Sequence, residues 1–70
     1  MLNVNKLKGK IVEKGFSIEK LSQILGINPS TFYRKIKNNS FEIEEADAIV
    51  KELGLSSTEA TEIFFAQTVA

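Results

Sequence analysis

Seventy residues, 43% of them apolar, with no cysteine, no histidine and no net charge, describe one small domain without disulfides. The missing thiols and imidazoles remove the commonest general base, the thiol nucleophile and most transition-metal sites, so no enzyme, cofactor or metal site is expected. No apolar run approaches the ~20 residues of a membrane-crossing helix, and the opening MLNVNKLKGK lacks the apolar stretch of a secretory leader, so a cytoplasmic protein is expected.

The first helix is expected over about 4–14. Val4, Leu7 and Ile11 mark its buried stripe, and Gly15 fits the position that ends it. Lys6, Lys10 and Lys14 recur every four residues on another face, which reads as a solvated surface adding long-range attraction for an anion. The second helix, about 18–25, opens on Ser17 as N-cap, with Phe16 and Leu21 spaced as a hydrophobic staple. Ile18, Leu21 and Leu25 are expected to face inward with Ile24 beside them, and Gly26 stops the helix. The third helix, about 29–37, follows at once. Asn28 is its cap, Pro29 takes the first helical position where a missing N–H costs nothing, and Ile27 can staple onto Phe32. It runs out in the polar pair Asn38-Asn39. The fourth helix, about 43–53, carries Ile43, Ala46, Ile49, Val50 and Leu53 at helical spacing, and Gly54 closes it. Ser56 to Glu59 is a capping box opening the fifth, about 57–66, which carries Ala60, Ile63 and Phe64. No stretch of useful length alternates with period two, so the expected fold is all-α, a compact bundle of about five short helices in a single domain over residues 1–70.

Zero net charge masks a division along the chain. Residues 1–37 hold eight of the nine basic residues and only Glu13 and Glu19 as acids, for a net +6. Residues 38–70 hold Lys51 alone against seven acids, for a net −6. One half therefore suits phosphate and the other avoids it. The acidic group Glu42, Glu44, Glu45 and Asp47 lacks the glycine and ligand spacing of a calcium loop, and carboxylates at a helix start follow from the helix dipole.

The second and third helices, joined through Gly26, have the parts of a helix-turn-helix, in which two helices cross at about 90–120° through a short turn that often contains glycine. Leu21 and Leu25 bury the first helix, and Ser22 is small enough one turn before Gly26 for close approach. Ile27 plugs the core past the turn, and Phe32 with Ile36 bury the inner side of the next helix. With Phe32 inward, about 100° per residue places Ser30, Arg34 and Lys37 outward, with Thr31 and Tyr33 on the flanks. Hydroxyls and an arginine suit base edges in a major groove, and the start of the second helix of such a pair usually meets the bases. Ser30, Thr31, Tyr33 and Arg34 are therefore the expected base readers, with Pro29 able to touch a thymine methyl. Ser17, Lys20, Asn28, Lys35, Lys37, Asn38 and Asn39 are the expected contacts to the DNA backbone.

The stretch SIEKLSQILGINPSTFYRKIKNN resembles the helix-turn-helix of the lambda-repressor-like (Cro/CI-type) family, in particular short phage repressor-like proteins with a STFYRK type of recognition helix. The likeness in helix order runs from the first helix to about Phe65. It implies a five-helix DNA-binding domain, usually dimeric on a palindromic operator, and hence a phage or prophage repressor that regulates transcription. Lys35 departs from the pattern, since an aliphatic residue is usual there and Ile36 supplies the apolar contact instead. Ser17-Ile18 stands where Gln or Thr is often found, so no side-chain phosphate contact is assigned to Ile18.

Phe64 and Phe65 are adjacent, and one short helix does not easily bury both rings in one core. One of them is a candidate contact for a second copy, which would make a homodimer. The rival reading keeps the fold and gives it a protein partner bound through the acidic half, as an antirepressor or antitoxin-like module. No small-molecule ligand is evident.

Overall fold

The structure, a computed structural model, describes residues 2–65. Its helices are α1 (Val4–Glu13), α2 (Ile18–Leu25), α3 (Pro29–Asn38), α4 (Ile43–Leu53) and α5 (Ser57–Phe64). Among the described residues there is no strand. Four starts are fixed by a side chain that accepts an amide the helix leaves unpaired. Asn3 accepts from Lys6 at 3.1 Å, Ser17 from Lys20 at 3.1 Å, Asn28 from Ser30 at 2.9 Å, and Ser56 from Glu59 at 3.1 Å. The Glu59 carboxylate in turn accepts from the Ser56 amide at 2.9 Å, completing the expected capping box.

The ends differ slightly from expectation. Helix α1 stops at Glu13, with Lys14 already non-helical. Helix α3 runs one residue further, to Asn38, because Asn39 takes the left-handed conformation (φ 52°) that ends it. Asparagine tolerates that region better than other side chains. Helix α5 ends at Phe64, earlier than expected, with Phe65 its non-helical C-cap (φ −130°), and residue 66 lies outside the described residues.

All five helices contribute to one core: Leu7 and Ile11 from α1, Leu21 from α2, Phe32 and Ile36 from α3, Ile49 and Leu53 from α4, and Ile63 from α5. Leu2 joins them from the N-terminal segment, which is tied to the end of α5 by the Asn3 amide donating to the Ile63 carbonyl at 2.7 Å. Phe41, in the α3–α4 connection, stands edge-on to Phe32 (centroids 5.3 Å) and to Phe64 (6.3 Å), so three rings link the third helix to the fifth.

Two apolar residues expected inside are exposed. In α2, Leu21, Leu25 and Ile18 span about 60° of the helix circumference and fully buried Ser22 extends the stripe to about 100°, which leaves Ile24 on the far side, 39% exposed. In α4, Ile49 and Leu53 define the buried line, and Ile43 lies about 100° from its middle, 84% exposed. The lysine stripe of α1 also differs from a freely solvated face. Lys6 pairs with Glu62, and Lys10 lies 2.6 Å from Glu59 and 3.3 Å from Glu13, so two of its three cations clamp α5 onto α1.

Candidate nucleic-acid interface

Three residues, Gly26, Ile27 and Asn28, separate α2 from α3. Gly26 takes a left-handed conformation (φ 73°, ψ 29°). Its amide donates to the Gln23 carbonyl at 3.1 Å, and the Ile27 amide donates to the Ser22 carbonyl at 2.9 Å. Two carbonyls left open by the end of α2 are thereby satisfied, and the chain turns sharply. Ser22 is fully buried, its hydroxyl donating to the Ile18 carbonyl at 2.7 Å. Helix α2 packs mainly on α3 and on α4, so the turn and this packing together hold α3 against α2.

Helix α3 has two distinct sides. Phe32 is completely buried and Ile36 is 5% exposed. Arg34 lies about 180° from the middle of that stripe, with Ser30, Thr31 and Lys37 about 120–140° from it. Ser30, Arg34, Lys37, Asn38 and Asn39 are exposed, and Thr31 is partly so. Tyr33 is at one flank, 49% exposed. Lys35 is at the other flank, turned toward α4, its ammonium 3.0 Å from Glu45 and its side chain 17% exposed. The place an aliphatic residue would fill is thus taken by the lysine stem, with the charge carried out to a carboxylate. The Ser30 hydroxyl donates to Asn28 Oδ1 at 2.8 Å, so the cap and the first outward residue of α3 share one bond network.

Tyr33 also lines an open crevice of about 310 Å3 whose walls are Lys8, Ile11, Val12, Phe16, Ser17 and Ile18. The outer face of α3 and the N-terminus of α2, where Ser17 and Lys20 are exposed, therefore border one continuous surface. Lys8 belongs to this surface and was not among the expected contacts. Its signal in the sequence is its position off the Lys6–Lys10–Lys14 repeat, about 100° from buried Leu7.

The ion pairs sort the cations by purpose. Lys6, Lys10, Lys35 and Lys51 each meet a carboxylate. Among the described residues Lys8, Lys14, Lys20, Arg34 and Lys37 make no ion pair, and all five are exposed. Two of the paired carboxylates, Glu59 and Glu45, are lowered below their ordinary value. The Lys10 ammonium, then the Ser56 amide, draw Glu59 from 4.5 down to about 2, while Lys10 itself is raised, chiefly by Glu59. Partial burial pushes Glu45 up, but the Glu42 amide and Lys35 together outweigh it and leave the group below its ordinary value. Phe64 is half-buried against Phe41, and Phe65 is 54% exposed at the end of α5, so the structure separates the two rings. Among the described residues no cluster of carboxylates could hold a metal ion, and no helix is long and apolar enough to cross a membrane.

A three-residue turn that fixes one helix across another, the second apolar within and cationic without, defines a helix-turn-helix domain. The sequence profile of the Cro/C1-type HTH DNA-binding domain matches residues 6–64, and the chain belongs to that family of DNA-binding regulators. Comparison with curated proteins and with solved structures found no match.

Proposed function

We propose that this chain is a sequence-specific transcriptional repressor of the phage or prophage type, which lays α3 in the major groove and occludes a promoter. The observation that carries this reading is the outer face of α3, where Arg34 is fully opposed to the buried stripe and has no carboxylate partner among the described residues. Arg34 is assigned bidentate contact with a guanine, and Ser30, Thr31 and Tyr33 the neighbouring base edges. Ser17, Lys20, Asn28, Lys37, Asn38 and Asn39 are assigned to phosphates, joined by Lys8 across the crevice. Lys35, tied to Glu45, orients α3 and reaches the backbone only by leaving that carboxylate. A single short domain offers limited contact, so two copies on an inverted repeat are the operating form.

Selection of bound duplexes from a random-sequence pool tests this directly. The expected product is an inverted repeat with half-sites about one helical turn apart. Enrichment of one short half-site would keep the reader and remove the paired arrangement. No enrichment at low salt would sink the repressor reading and favour a protein partner.

A further inference from the structure

The acidic half of the molecule presents a surface that reading DNA does not use. Between α4 and α5 lies an open groove of about 330 Å3, in the size range of clefts that receive ligand side chains. It exists because α4 carries a wider apolar stripe than the core consumes. Ile49 and Leu53 go inward, whereas Ala46, Val50 and Ile43 continue about 60–120° around the helix from Ile49 and form one wall. Phe64 and Ala60 form the other wall, with Phe41 between them. Ile43, 84% exposed on the first turn of α4, contributes nothing to folding that its exposure would reward.

The charge around the groove selects the occupant. Among the described residues, Glu42 and Asp47 are the charged ones that line it, and no cation does. Lys51, one turn along from Asp47, pairs with it at 3.0 Å, but Glu42 and the nearby Glu44 have no ion pair among the described residues. DNA is excluded by its own charge. A second copy paired by two-fold symmetry would press the same patch against itself, bringing two Glu42–Asp47 rims together around one apolar contact. A cationic partner gains from the same rim. We infer that the α4–α5 groove docks an amphipathic basic helix of another protein, with large apolar side chains one turn apart entering between Ile43, Val50 and Phe64, and Lys or Arg flanking them over Glu42 and Asp47. This surface is separate from the Tyr33 and Arg34 face, so the partner and the DNA are held together rather than in competition.

The probe is a synthetic amphipathic helix with leucines on one face and lysines on the other, titrated into the isotope-labelled full chain, beside an otherwise identical peptide with glutamate for lysine. The lysine peptide should shift the amide signals of Ile43, Ala46, Val50 and Phe64, leave those of Tyr33 and Arg34 in place, and outbind the glutamate peptide. Ile43→Ser should weaken it about tenfold, the scale of one buried aliphatic side chain. Asp47→Asn should weaken it about threefold, the scale of a rim charge. Both positions are exposed, so both variants keep the fold. Equal binding of the two peptides, or binding of neither, overturns the inference. So does concentration-dependent movement of the same signals without peptide, confirmed by sedimentation, which would give the groove to a second copy. DNA affinity measured on the same samples keeps these outcomes apart from any failure of DNA reading.

Discussion

At Gly26 a Cβ would meet no atom within 4 Å, so the position needs glycine for its dihedral and not for space. Gly26→Ala should therefore cost about 1 kcal/mol, the strain of a left-handed alanine, seen as a lower urea midpoint with an unchanged slope. Ser22 separates size from hydrogen bonding. Its hydroxyl bonds the Ile18 carbonyl, which also receives the helical amide, so Ser22→Ala should cost no more than about 1 kcal/mol, whereas Ser22→Leu, forcing a larger side chain into a fully buried place, should cost about 1–3 kcal/mol. Arg34→Ala should leave the unfolding curve alone, since the side chain is exposed, but weaken the selected site by about 1–3 kcal/mol and relax preference at one base pair per half-site. Equal loss on specific and random duplexes would remove its reading role. Ser22 also shows why Ile24 was misplaced in the sequence. Periodicity ranks positions by hydropathy, and a buried serine rotates the true stripe away from an isoleucine that scores higher.

Helix α5 has only eight residues and is held from outside as much as by its own bonds. The Glu59 carboxylate closes the capping box at Ser56 and receives Lys10 of α1, and folding lowers it from 4.5 to about 2. A carboxylate lowered by folding stabilises fully above its ordinary value, and here that contribution fades as pH falls from about 4.5 toward 2. Glu59→Gln preserves the box, because glutamine can return the same bond, while removing the charge. Its acid unfolding profile should be flatter than the parent's across that interval, and an unchanged profile would mean that Lys10 contributes nothing there. At the alkaline end the raised Lys10 should keep the pair intact past 10.5. The box itself was legible as Ser-x-x-Glu. The bond that the Glu42 amide donates to the Glu45 carboxylate at 2.8 Å was not, because glutamate is an unusual cap and the second partner of Glu45, Lys35, lies in another helix.

For the molecule as a whole, five helices, their order and the turn between α2 and α3 could be read from caps, glycines and periodicity, since those signals are local. The division of charge was also readable, but its use was not. Three of the eight cations in residues 1–37 face acids of the other half, and pairings between different helices leave no mark on a linear pattern. This sorting should appear in the salt dependence of DNA binding, where each phosphate neutralised adds about −0.9 to the log–log slope. Lys37→Ala should reduce the slope by about one per copy and weaken all sequences alike. Lys6→Ala, which removes a cation held by Glu62, should leave the slope unchanged. A shallower slope in the Lys6 variant would show that the α1 lysines reach phosphate after all.

Phe32 and Ile36 anchor α3 from within, whereas Arg34 and Lys37 on its outer side are exposed and make no ion pair among the described residues. Under the proposed reading, specificity would thereby be modular. Successive changes at Ser30, Arg34 and Lys37, all exposed, would then carry the protein from one operator to another with little cost to folding, so a lineage bearing this scaffold could follow a drifting DNA target without crossing a valley of unfolded sequences.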